Sequence, residues 1–201
     1  MQVSKIQLSS AEMELVQNAD IILTKNRIMA KAIALLEELQ QTQLSFLEKV
    51  QLKNHVFSVH PKISKGENYL GLPYLILDHP RRSTPNDFFF IRSMFWWGNF
   101  FSCTLHLAGD SKEKLKTSIK NSHNRLRDYF IAINSDPWIH HFQEGNYLKI
   151  GSMSEKEFQE ACDSFDHIKL AKKYPISEWD YIPAKLYTEW SFFLSVCGLV
   201  S

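Results

Sequence analysis

Apolar residues recur at helical spacing along the first quarter of the chain. Ser9 and Glu12 have the spacing of a capping box, in which two side chains satisfy free amides at the start of a helix. Apolar positions with a period near 3.6 then run from Met13 to Val50. This pattern predicts two helices packed as a hairpin with a break near residues 24–26, and one long helix is the alternative.

The helical period is lost between His55 and Pro85, where prolines and glycines disfavour helix. Residues 74–78 form a short apolar run that predicts a strand, and residues 79–87 predict a loop. The glycines of residues 66–71 have the spacing of a phosphate loop. The Lys and Ser/Thr that would hold phosphate and magnesium do not follow them, so this stretch predicts a turn before the strand.

Residues 88–107 read FFFIRSMFWWGNFFSCTLHL, which is apolar and aromatic along most of its length. A membrane span is one interpretation, but Arg92 inside the segment would be costly in hydrocarbon. Gly98 and Asn99 at the centre are a turn signal flanked by strand-forming residues. The stretch therefore predicts a β-hairpin that turns at these two residues.

A two-residue turn fixes the register of this hairpin and sorts its side chains into two faces. Arg92 then lies opposite Leu105, on an apolar face. His106 lies opposite Ile91, on the other face. Neither face is plainly polar, so we expect each to be covered by helices or to bind a partner.

The rest of the chain predicts three more helices and one more strand. Asp110 and Glu113 have capping-box spacing, and a helical stripe runs from there to residue 133, ended by the sequence NSDP. Residues 147–150 predict a strand, and Ser154 with Glu157 opens another helix. Pro183 suits the first turn of the last helix.

Helices, then strands, then helices indicate an α+β fold, with an antiparallel sheet that includes the aromatic hairpin and is covered by helices. The length of 201 residues favours a single domain, residues 1–201, with a helical N-terminal part (1–53) and an α+β part (54–201).

Charge and cysteine content narrow the classes of function. The formal net charge of +1 argues against nucleic-acid binding, although basic residues follow one side of the third predicted helix. Three widely spaced cysteines indicate neither a disulfide framework nor a zinc ribbon. The first residues lack the apolar core of a secretory signal, and together these features predict a cytoplasmic protein without a membrane span.

Arg92 is the most informative candidate, because a guanidinium on an apolar face needs a carboxylate, an aromatic plane or a ligand anion. A salt bridge to Asp78 or Asp87 is the simplest interpretation. The further candidate ligand-binding residues lie in the strand, the loop and the hairpin around it: Tyr74, His79, Arg81, Trp97 and Thr104. The candidate catalytic residues are Asp78 and His106.

The sequence predicts no cofactor and no metal site. His140 and His141 are adjacent, and adjacent side chains on regular structure point apart. Two functions remain open. The first is a non-catalytic binding or protein-interaction domain with an aromatic-lined pocket or surface, whose partner is a small anionic or apolar ligand or a second copy of the chain. The alternative is a small enzyme that acts on an anionic small molecule with Asp78, Arg92 and His106.

Overall fold

The computed structural model describes residues 4–50 and 55–200. Within that part of the chain, five α-helices and one seven-stranded antiparallel sheet form the predicted α+β fold. The helices are α1 (Ser10–Gln17), α2 (Ala19–Lys49), α3 (Gly109–Lys120), α4 (Glu155–Asp163) and α5 (Ile182–Val196). The strands are β1 (Lys62–Tyr69), β2 (Leu72–Ser83), β3 (Phe88–Trp96), β4 (Phe100–Ala108), β5 (Phe130–Ala132), β6 (Tyr147–Lys149) and β7 (His167–Pro175). Their order across the sheet is β1-β2-β3-β4-β7-β5-β6.

The two predicted N-terminal helices are present, and the capping box of Ser9 and Glu12 opens α1. The predicted break at residues 24–26 is wrong, because α2 runs through these residues without interruption. The break lies at Asn18, which leaves the helical conformation and accepts a hydrogen bond from the backbone N–H of Asp20. The predicted boundary between residues 53 and 54 lies outside the described residues.

One face of the sheet is packed against helices, and we call it the helical face. Leu75, Phe89, Phe95, Phe101 and Leu105 are buried there in one core. The same core takes in the buried stripe of α2 and most of α5. The aromatic hairpin is therefore a central part of the sheet, sealed on this side by the protein's own helices.

The hairpin is confirmed, but its predicted register is wrong by one residue on β4. The turn has three residues, Trp97 to Asn99, with Gly98 at a φ of +71°. Trp97 donates its backbone N–H to Pro73 of β2 instead of pairing with Phe100. A shift of one residue moves every β4 side chain to the opposite face.

The corrected register changes the neighbours of Arg92. It lies opposite Thr104 on β4 and opposite Asp78 on β2. His106 lies opposite Phe90 and therefore shares a face with Arg92. The prediction that placed these two residues on different faces is overturned, and Leu105 belongs to the helical face.

The strands that flank the hairpin, β1, β2 and β7, are longer or more numerous than the sequence predicts. The predicted turn at residues 66–71 lies largely within β1, and the chain reverses at Leu70 and Gly71 instead. Residues 79–83, predicted as loop, continue β2 past a bulge. The strand β7 was not predicted, although it pairs with β4 along nine positions.

The predicted helix from Asp110 to residue 133 ends early, because α3 stops at Lys120 and the chain enters β5 ten residues later. Asp110 and Glu113 do not form a capping box, since the N-cap residue is Ala108. The side-chain cap of α3 comes instead from Asp87, in the loop before β3. Its carboxylate accepts a hydrogen bond of 2.7 Å from the backbone N–H of Ser111.

Three later predictions are confirmed. The strand near residue 148 is β6, Ser154 and Glu157 form the capping box of α4, and Pro183 lies in the first turn of α5. None of the helices in residues 4–50 and 55–200 is long and apolar enough to cross a membrane.

Candidate functional site

The second face of the sheet is covered by an irregular segment, residues 133–146, which we call the covering segment. We call this side the loop face. It carries an unusual number of buried polar side chains for the middle of a sheet: Asp78, Ser102, Thr104, His106 and Lys169. Buried polar groups are costly without partners, so their partners define what this face can do.

Arg92 and Asp78 form a bidentate ion pair in the middle of the loop face. The guanidinium donates from Nε and Nη2 to the two carboxylate oxygens, at 2.7 and 2.8 Å. Both side chains are about nine-tenths buried. The salt bridge foreseen from the sequence is therefore the one with Asp78, and Asp87 instead pairs with Arg82.

His140 links this ion pair to Lys169. Its Nε2 lies 3.1 Å from Nη1 of Arg92, and its Nδ1 lies 3.1 Å from Nζ of Lys169. The Lys169 amine also donates to the backbone carbonyls of Pro137 and Ile139. Lys169 thus ties the covering segment to β7, and no carboxylate among the described residues pairs with it.

This geometry assigns the protons. A guanidinium can only donate, so Nε2 of His140 accepts from Arg92, and a neutral imidazole then carries its proton on Nδ1. That Nδ1–H needs an acceptor, which only an uncharged Lys169 amine can provide. A neutral amine has two N–H groups, which donate to the two carbonyls, and one lone pair, which accepts from Nδ1–H. Each of these donors then has an acceptor.

The expected pKa shifts agree with this assignment. Burial, and then the positive charge of Arg92, lowers the pKa of Lys169 from 10.5 to about 7. Burial and the neighbouring positive charges hold the pKa of His140 well below its ordinary value. Both groups are therefore mostly uncharged in mildly alkaline solution.

A cavity of about 260 Å³ opens beside the ion pair. Arg92 is the one cation among the described residues of its wall, and most of the other side chains there are aromatic or apolar. The lining residues are Tyr69, Tyr74, Ile76, Arg92, Met94, Trp138 and His140. The Tyr69 hydroxyl accepts the backbone N–H of His140 at 2.6 Å, which fixes the rim of the covering segment. Arg92 uses three of its five N–H groups on Asp78 and His140, and one N–H on each Nη has no hydrogen-bond partner among the described residues.

His106 lies on the same face, farther along β4 and packed among aromatic rings. Its ring is 4.5 Å from that of Phe88 and 5.6 Å from that of Trp138, measured between centroids. Its Nε2 is buried and has no hydrogen-bond partner among the described residues. Burial, followed by nearby positive charges, holds its pKa well below the ordinary value.

The predicted catalytic residues are not hydrogen-bonded to each other. Asp78 is on β2 and His106 is on β4, so the whole of β3 separates their backbones. Both oxygens of Asp78 accept from Arg92. Among the described residues, no hydrogen bond joins Asp78 to His106.

The predicted ligand-binding residues separate into two groups. Tyr74 and Arg92 line the cavity, and Thr104 is buried beside Arg92 on β4. Arg81 follows a bulge, lies opposite Phe90, and is outside the cavity wall.

His79 and Trp97 lie on the other side of the sheet. His79 bonds through Nδ1 to Gln43 of α2 at 2.9 Å and stacks on Trp190 of α5, so it contacts the helical layer. Burial lowers its pKa to about 4. Trp97 lines a separate groove next to α2.

Sequence reasoning missed Tyr69, Trp138, His140 and Lys169. Lys169 had a detectable signal, since apolar residues at 168 and 170 alternate with polar ones at 167 and 169, the pattern of a strand. His140 has no comparable signal, since in the sequence it is one of two adjacent histidines outside any periodic pattern. Among the described residues, no group of three or more His, Cys, Asp and Glu side chains could hold a metal ion.

Comparisons with protein-family models, with curated proteins and with solved structures found no match to this chain.

Proposed function

We propose that this protein is a non-catalytic binding protein whose ligand is a small aromatic carboxylate held in the cavity beside Arg92. The observation that carries the proposal is the position of a buried guanidinium with unused N–H groups in an otherwise aromatic and apolar wall. Such a wall with a few convergent polar groups is typical of small-molecule sites.

The chemistry of the wall defines the ligand. A carboxylate suits the remaining N–H groups of Arg92, which can donate to its two oxygens. A single aromatic ring suits the space between Tyr69, Tyr74 and Trp138, where edge and face contacts with rings are available. A cavity of about 260 Å³ is small for a ligand site, which favours one ring over two.

Thermal unfolding with a panel of probes tests this proposal. The panel contains benzoate, 4-hydroxybenzoate and indole-3-carboxylate, with benzamide and benzyl alcohol as uncharged analogues. A ligand at about 100 times its Kd stabilises the folded state by about 2.7 kcal/mol. For a chain of this length, that raises Tm by about 5–10 °C. We expect such a shift for at least one carboxylate and a smaller one for its uncharged analogue.

A substitution that fills the cavity tests the same proposal, and a substitution of the same kind outside the cavity is its control. Ile76→Phe adds a ring to the wall and leaves the ion pair of Arg92 and Asp78 in place. We expect it to weaken carboxylate binding by at least about tenfold, measured by calorimetry. Ile63→Phe is the control, since Ile63 is also partly buried but packs into the helical core. Equal affinities in the two variants, or no shift with any carboxylate, would refute the proposal.

The second candidate function is a small enzyme that acts on an anionic molecule with Asp78, Arg92 and His106. Its support is that His106 shares the face of Arg92 and has an unused Nε2. Incubating each bound carboxylate with the protein, followed by NMR of the small molecule, separates the two functions. Chemical conversion that is lost in His106→Gln favours the enzyme, and an unchanged ligand favours the binding protein.

A further inference from the structure

The N-terminal helices carry apolar side chains that the protein itself does not cover. We call residues 4–24 the arm. None of the side chains in α1 is buried. Eight large apolar side chains of the arm are between 43 % and 90 % exposed: Ile6, Leu8, Met13, Leu15, Val16, Ile21, Ile22 and Leu23. Isolated exposed apolar residues are ordinary, but eight within 18 consecutive residues are a high local density that calls for an explanation.

The exposed apolar area of the arm can contribute to a protein interface. Together the eight side chains expose an apolar surface on the order of 700 Å², spread over more than one side of the two helices. A stable interface takes about 800 Å² from each partner, so one side of the arm supplies part of this area and the surface that receives it has to supply the rest.

A groove on the same molecule has the complementary character. It has a volume of about 450 Å³, and its wall combines aromatic and aliphatic side chains with one cation: Ile28, Lys31, Phe95, Trp97, Ile176 and Trp179. Lys31 has no ion-pair partner among the described residues. Its charge is therefore available to a partner that brings a carboxylate.

The charge of the arm is opposite to that of the groove. The arm contains Glu12, Glu14 and Asp20 and one basic residue, Lys5, so three acidic residues against one basic residue give it a formal net charge of −2; α1 itself has two acidic residues and neither Lys nor Arg. The nearest basic residue that follows, Lys25, is paired with Glu67 of β1 at 2.8 Å. The acidic, apolar arm is therefore complementary in charge and polarity to a groove that offers apolar rings and Lys31.

The arm does not occupy the groove of its own molecule, since none of its residues lines the groove wall and none of the α1 side chains is buried. Because α2 is one continuous helix, Asn18 lies 10 residues before Ile28, or about 15 Å farther along the axis. We propose that α1 of one copy docks in the groove of a second copy, with Met13 and Val16 between Trp97 and Trp179. The second copy returns the same contact, which closes a symmetric dimer.

The mass of the protein in solution tests the dimer first. Light scattering after size exclusion should give two chains for the wild-type protein at about 100 µM and one chain for Val16→Glu, which places a charge in the apolar contact. Leu148→Glu is the matched control, because Leu148 is 44 % exposed and lies on β6, away from the arm and the groove. It should leave the mass at two chains.

A mixing experiment tests the exchange of arms. Ile28→Glu damages the groove, Val16→Glu damages the arm, and each variant alone should be a single chain. Mixed in equal amounts, they should recover a two-chain species, because one undamaged arm meets one undamaged groove. This heterodimer should be at least about tenfold weaker than the wild-type dimer, since one of the two contacts is lost.

If Ile28→Glu does not fold, Lys31→Glu replaces it, since Lys31 is exposed and its reversal removes only the charge complementarity. A single-chain mass for the wild-type protein overturns the proposal. So does a mixture that stays single-chain while each variant is folded, or a control that dissociates as fully as Val16→Glu.

Discussion

Lys169 gives the sharpest prediction about stability, because a buried lysine that is neutral in the folded protein must take up a proton when the chain unfolds. The side chain is 1 % exposed, and its pKa falls from 10.5 to about 7 on folding. Between these two values the unfolded chain binds more protons than the folded one. The free energy of unfolding therefore rises with pH from about 7 to about 10.5.

The size of the effect follows from the difference in pKa. The difference between 10.5 and about 7 corresponds to about 5 kcal/mol of lost stability, fully present below pH 7 and absent above about pH 10.5. Between pH 7 and pH 9, the part recovered is about 2 kcal/mol. Lys169→Met removes the titrating group, so the variant should lack this rise.

Urea unfolding at several pH values, followed by tryptophan fluorescence, measures the difference between the two proteins. The quantity of interest is the slope against pH, because Lys169→Met also leaves two carbonyls without a donor, and that loss shifts stability by an amount that does not depend on pH. Lys173→Met is the control, since Lys173 is an exposed lysine on the same strand and the same face. Parallel pH profiles for the wild type and Lys169→Met would show that Lys169 is charged in the folded protein, and the proton assignment at His140 would then be wrong.

Two further substitutions have expected outcomes of opposite sign. Asp78→Ala should lower the free energy of unfolding by about 3–5 kcal/mol, because it leaves the guanidinium of Arg92 buried without its carboxylate, whereas Asp78→Leu combined with Arg92→Met should cost much less. A double variant as unstable as the single one in urea would contradict this explanation. Leu70→Asn should stabilise the protein by about 1 kcal/mol, because Leu70 has a φ of +51° and asparagine tolerates this conformation better. An unchanged urea midpoint in Leu70→Asn would contradict that account.

The candidate site shows which side-chain contacts local sequence patterns can predict and which they cannot. The sequence identified Arg92 as a cation that needs a carboxylate such as Asp78 or Asp87, because the cost of an unpaired buried charge holds in any fold, and the structure chose Asp78. It did not identify His140 as the next partner of Arg92. The covering segment has neither helical nor strand periodicity, and only contact with β3 and β7 gives its side chains a role.

The hairpin shows how one residue can change the chemistry of a site. Gly98 and Asn99 correctly indicated a turn, but a pattern of turn residues does not choose between two and three residues in the loop. The backbone N–H of Trp97 settles this by bonding to Pro73 of β2, which is a long-range contact. That single choice brings His106 to the face of Arg92.

By itself, the sequence determined those features that depend on neighbouring residues. These are the capping boxes at Ser9 and Ser154, the start of the last helix near Pro183, and the α+β class with its aromatic hairpin. Only the tertiary structure decided the register of β4, the pairing of β7 with β4 and the contacts of Lys169 with the covering segment. Each of these depends on which strand or segment comes to lie alongside, and that is set by the burial of distant parts of the chain against one another.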